Sequence, residues 1–134
     1  MSADELGRIT AAGVDVALHT HRHRFPLDDP DACRRELLQN QVLLREMTGT
    51  SSSHFCYPSG VYAAHQWVLL SDLGVRSATT CETGMVRRGD SVYGLRRFLD
   101  GEMVSDVEFD AEICGFAELL RSMLRVRRQA AHAL

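Results

Sequence analysis

Glycines at positions 13, 49 and 74 each close a helical segment, and each is followed within a few residues by a short apolar run. Ser2 and Glu5 have the Ser-x-x-Glu form of a capping box, so residues 3–12 read as a helix that ends at Gly13 and leads into a strand over 14–18. Asp29-Pro30 supplies an N-cap and a proline at the first helical position. Leu37, Leu38, Val42, Leu44 and Met47 then recur at helical spacing, as a core-facing stripe, until Gly49. Residues 53–57 read as a strand, 62–73 as a second amphipathic helix and 75–80 as another strand. Beyond these the pattern weakens to a strand at 92–99 and a last helix from about residue 105 to 128. Helix and strand units that succeed one another without a linker argue for a parallel sheet with helices packed on it, open or closed into a barrel. With 134 residues the chain has the length of one domain.

Composition narrows the chemistry. All fifteen Lys and Arg residues are arginine, which removes Schiff-base chemistry and the phosphate-loop lysine. A net charge of −3 with both signs interspersed gives no basic field for nucleic acid or an anionic membrane surface. Arg121, Arg125, Arg127 and Arg128 near the C-terminus read as a solvated face that suits the helix dipole. Cys33, Cys56, Cys81 and Cys114 are scattered without a Cys-x-x-Cys pair and read as buried thiols. Trp67, the one tryptophan, reads as packed against the sheet. No apolar run approaches the roughly 18–20 residues of a membrane helix, and Met1 to Glu5 is unlike a secretory signal. The cellular location is left open.

Two segments carry chemistry. His19-Thr20-His21-Arg22-His23 places three of the six histidines within five residues, directly after the apolar run Val14 to Leu18. Imidazoles projecting from a strand's end can converge on one ion without disturbing the strand. Tyr57-Pro58-Ser59-Gly60 follows the next strand. In parallel α/β folds, loops at the carboxyl ends of strands share one rim, so both segments are expected at one pocket.

Taken in order, Gly13 to His23, Phe55-Cys56-Tyr57-Pro58-Ser59-Gly60, and the helix from Tyr62 followed by Gly74 to Thr80 resemble the polysaccharide deacetylases of the fourth carbohydrate esterase group, which include chitin and peptidoglycan deacetylases. The resemblance covers roughly residues 5–85. It implies an incomplete (β/α) barrel of that type, with parallel strands and packing helices. Residues 1–134 would form a single partial domain in which 86–134 match only weakly. It implies a metal-dependent hydrolase that removes N-acetyl groups from amino-sugar polymers or oligomers, with a divalent metal, zinc being the expected ion. His19 and His23 become metal ligands, and Thr20 and His21 lie behind them or toward the substrate. Tyr57, Pro58, Ser59 and Gly60 form the loop whose backbone N–H, that of Ser59, stabilises the oxyanion.

The family's early Asp-Asp strand, which holds its third ligand and its base, has no counterpart among the eighteen residues before His19, where the aspartates are Asp4 and Asp15. Asp28 and Asp29 are explained as helix caps. The late Leu-x-His motif that supplies the general acid is not evident either, the remaining histidines being His54, His65 and His132, and the arginine usual in many members at the position of Cys56 is absent. The chain is therefore expected to correspond to the later portion of such a domain and to lack hydrolytic power alone, with its catalytic acid and base unassigned. An unclosed barrel would expose a sheet edge open to pairing with another chain. Two alternatives remain: a non-catalytic domain that binds glycan or a partner protein, and a His-x-His metallohydrolase of the polymerase and histidinol phosphatase type.

Overall fold

Local capping sets the first two helices. A computed structural model describes residues 2–131 of the chain; His132 and the side chains of Arg125, Arg127 and Arg128 lie outside what it describes. Helix α1 spans Ala3–Ala11, with both bonds of the Ser2–Glu5 capping box formed. Helix α2 spans Pro30–Thr48; the Asp29 side chain accepts from Ala32 N, and Gly49 closes the helix at φ 71°. Strand β1 is His54–Cys56, helix α3 Trp67–Asp72, strand β2 Ser77–Thr79, helix α4 Asp106–Ile113 and helix α5 Phe116–Ala131. Short 3-10 turns occupy Pro58–Gly60 and Ala64–Gln66.

The sheet is narrow and wholly parallel. β1 pairs with β2 in the register Phe55 to Ala78, and single bridges extend the pairing to Leu18 on one side and Leu95 on the other. The expected strand at 14–18 is thereby reduced to Leu18, which donates to the His54 carbonyl at 2.7 Å and accepts from Cys56 N at 2.9 Å. Its outer flank has no strand beside it among the described residues, and the Val16 carbonyl is taken by the Ser52 hydroxyl instead of a backbone rung. The expected strand at 92–99 shrinks in the same way to the bonds that Val92 and Leu95 exchange with Ala78 and Thr80. Four parallel rungs with helices packed against them make an incomplete α/β barrel, as expected.

Three further expectations are corrected. The segment 62–73 becomes helical only at the Ala64–Gln66 turn. The last helix breaks in two at Gly115, whose φ of 80° a helix cannot contain. On α2 the buried face runs through Cys33, Glu36, Leu37, Asn40 and Leu44, whereas Leu38 and Val42 are exposed.

The core gathers Leu18, Phe25, Leu37, Phe55, Tyr57, Leu70 and Ala78, with Trp67 packed against it. Cys33 is a buried thiol, as expected, and burial pushes its pKa up to about 11. Cys56 and Cys81 are only half-buried and Cys114, at the α4 C-cap, is exposed, against the expectation of buried thiols. Among the described residues no helix is long and apolar enough to cross a membrane.

Candidate metal centre

Leu18 is locked between β1 rungs, so His19 leaves the sheet directly beside Cys56. The His19 ring Nδ1 lies 2.7 Å from the Cys56 carbonyl oxygen. A carbonyl only accepts, so Nδ1 carries the proton, and in the neutral ring the lone pair then lies on Nε2, the nitrogen left for a metal. The His19 backbone N–H is fixed from the other side by Asn40 Oδ1 at 2.9 Å. The rings of His19 and His23 stand edge to face, with centroids 4.9 Å apart. Zinc–imidazole bonds of about 2.0–2.1 Å are compatible with that ring separation. Among the described residues no group of three or more His, Cys, Asp and Glu side chains is placed to hold a metal.

The turn between the two histidines is unusual in its backbone. Thr20 and His23 both adopt positive φ, 65° and 55°. Thr20 is buried, and its hydroxyl accepts from Arg24 N at 3.0 Å, which closes the turn around it. His21 faces away, over the outer surface of α2 beside Leu38 and Val42. Its N–H donates to the Glu36 carbonyl at 3.2 Å. The other described histidines have separate partners: His54 bonds the Ser77 hydroxyl and His65 the Leu27 carbonyl.

Glu36 anchors the same turn from within α2. Its side chain is 3% exposed and receives the Arg22 N–H at 2.8 Å and the Arg22 guanidinium at 2.7 Å. Burial alone would raise the carboxyl, but the bonds from Arg22 outweigh it and hold the pKa below the ordinary 4.5. A depressed pKa contributes stability that is present above 4.5 and is lost as pH falls through the lower, folded-state value. Glu36→Gln is therefore expected to destabilise the protein at neutral pH, and the gap from the native chain should narrow as pH falls below 4.5 in urea titrations.

Tyr57 to Gly60 follow β1 on the same rim. Tyr57 is buried among Phe25, Phe55 and Tyr62, and its hydroxyl donates to the Tyr93 carbonyl at 2.9 Å. Burial pushes its pKa far up, and its side chain anchors the loop from below. Pro58 is buried, while Ser59 is exposed at φ 55°. Among the described residues the Ser59 N–H has no hydrogen-bond partner. A cavity of about 500 Å³ is lined by His23, Arg22, Arg24, Glu36, Pro58 and Ser59, so the two loops do face one space. Asn40 and Glu36 escaped the sequence reading; the signal was present, because they share the 33, 37, 40, 44 stripe with Cys33, Leu37 and Leu44.

The sequence model of the polysaccharide deacetylase family matches residues 1–78. No curated protein matched the chain. Among solved structures it is similar to the Streptococcus pyogenes deacetylase PplD in complex with acetate, at 17% identity and a TM-score of 0.76, covering 84% of this chain and 50% of that one. It is similar to the deacetylase domain of BpsB from Bordetella bronchiseptica, at 18% identity and a TM-score of 0.66, over 72% of this chain and 48% of the other. A polysaccharide deacetylase from Bacillus cereus shares 19% identity and a TM-score of 0.69, over 84% and 36%. The chain thus spans half or less of each of these proteins. Since the family match takes in more than half of the 134 residues, including both loops of the rim, the chain belongs to the polysaccharide deacetylase family.

Proposed function

We propose that this chain carries part of the centre of a metal-dependent hydrolase that removes N-acetyl groups from amino-sugar polymers. The observation that carries the reading is the His19 Nδ1 bond to the Cys56 carbonyl, which leaves Nε2 for a metal, with the centroids of the His19 and His23 rings 4.9 Å apart. His19 and His23 hold a divalent ion, zinc by preference, and Thr20 and the Glu36–Arg22 pair keep their turn in shape. His21, turned outward, takes no part in ligation. When bound, zinc supplies Lewis acidity toward the acetyl carbonyl. The Ser59 N–H donates to the oxygen that gains charge as the amide carbon becomes tetrahedral. Tyr57, Pro58 and Gly60 hold that donor in place. A fixed donor contributes the more to such a step the better bound substrate excludes water from it.

Hydrolytic zinc sites use three protein ligands and a base. Among the described residues two imidazoles stand there, so the chain alone is expected to bind zinc weakly and not to turn over. The open flank beside Leu18 is the place where a further strand, from this or another chain, pairs. Calorimetric zinc titration tests the ligands: His19→Ala and His23→Ala should each weaken binding at least about tenfold, and unchanged affinity in both would sink the assignment. Acetate release from chitin oligomers should be absent with the chain alone. Turnover that His23→Ala abolishes would overturn the claim of inactivity. Glycan binding that persists under chelation would favour the non-catalytic alternative.

A further inference from the structure

Arg24 follows His23 on the histidine turn, and its backbone is pinned on both sides. Its N–H donates to the Thr20 hydroxyl at 3.0 Å, and the next residue, Phe25, is buried against the rings of Phe55 and Tyr57. Arg24 itself is exposed and lines the cavity of about 500 Å³ shared with His23 and Ser59. Two arginines border that cavity, and one of them has its charge answered. The Arg22 guanidinium reaches Glu36 Oε1 through both Nε and Nη2 at 2.7 Å, and its N–H reaches Oε2 at 2.8 Å. Glu36 is the one acidic residue of the lining, and among the described residues no carboxylate pairs with Arg24.

The cavity lining therefore holds one uncompensated positive charge, one residue from His23. The remaining wall, from Phe25, Pro26, Ala32, Pro58 and Val61, is apolar. The volume lies within the roughly 300–1,000 Å³ of small-ligand sites, and an apolar wall with a few fixed polar groups suits the C–H face of a sugar ring. A guanidinium offers parallel N–H donors that match the two oxygens of a carboxylate. One free cation balances one carboxylate. A phosphate dianion would ask for a second, and Arg22 is already committed to Glu36.

We infer that Arg24 is a specificity residue of this site and binds a carboxylate carried by the glycan beside the N-acetylated sugar, so that the substrate class is an acidic N-acetylated glycan. For the acetyl group the inference rests on the deacetylase reading above; for the carboxylate it rests on the cavity alone.

The test uses the nitrogen-15-labelled chain and follows the backbone resonances of Arg24 and Ser59 by NMR. Three probes are titrated: a tetrasaccharide of alternating N-acetylglucosamine and glucuronic acid, the methyl ester of that tetrasaccharide, and tetragalacturonic acid, which has carboxylates and no acetyl group. The acidic tetrasaccharide should bind about fivefold more tightly than its ester at low salt, and the difference should close in Arg24→Gln and at high salt. Equal affinity for acid and ester in the native chain, or a difference that persists in Arg24→Gln, overturns the proposal and leaves the deacetylase reading standing. Tetragalacturonic acid binding as tightly as the acetylated acid, with the same loss in Arg24→Gln, upholds the carboxylate contact and tells against recognition of an N-acetyl group. No saturable shift with any of the three overturns the proposal.

Discussion

Tyr57→Ala lowers the unfolding free energy by about 3–5 kcal/mol, the largest loss expected of any single change on this rim. The ring is 1% exposed and meets Phe25, Phe55 and Tyr62 at centroid distances of 5.4, 4.9 and 5.3 Å. Truncation removes that contact and leaves a cavity under the loop that no neighbouring element can slide into, because β1 and β2 are tied on either side. A domain of ordinary stability has about 5–15 kcal/mol in all, so the variant should sit near the edge of folding. Tyr57→Phe separates the two parts of the effect. It keeps the ring and loses only the bond to the Tyr93 carbonyl, at a cost of about 1 kcal/mol. Urea denaturation of the two variants checks this ordering; similar losses would mean that the hydroxyl, not the ring, holds the loop.

Gly60→Ala is expected to cost about 2–4 kcal/mol and to displace the Ser59 N–H. Gly60 has φ 69°, and a Cβ there would fall 2.6 Å from Cys81 Cβ and 2.8 Å from the Cys81 backbone nitrogen. Backbone cannot swing aside as the end of a flexible side chain can. Gly49→Ala is the matched control: φ is 71°, but a Cβ at that position meets nothing within 4 Å. It should cost about 1 kcal/mol, the left-handed conformation alone. Thermal unfolding of both variants reads the difference, and equal shifts would show that Cys81 exerts no steric control over the loop.

The local parts of the fold were legible in the sequence. Capping at Ser2 and Glu5, the Asp29-Pro30 start and the stop at Gly49 depend on residues within a turn of one another, and all are formed. The strands were harder, because a strand exists only where its neighbours are: the run from Val14 reads as a strand by its apolar character, yet only Leu18 finds a partner. The stop at Gly115 was as readable as that at Gly49, but continuous helical spacing on either side concealed it. At the candidate site, the histidines and the Tyr57 to Gly60 loop stood out by residue type. Their supports did not. Asn40 and Glu36 are polar residues on a buried helix face, and the Cys56 carbonyl belongs to no side chain.

Thr20, His23 and Ser59 all hold the left-handed backbone conformation that a glycine would adopt freely. Each such residue carries a conformational cost of about 1–3 kcal/mol. Directed evolution of this chain for thermal tolerance alone would therefore drift toward glycine or asparagine at these three positions and erase the histidine turn as it succeeded. A stabilised laboratory descendant would keep the barrel rungs and forfeit the imidazole, so selection on this scaffold has to score retention of the histidine turn alongside heat resistance.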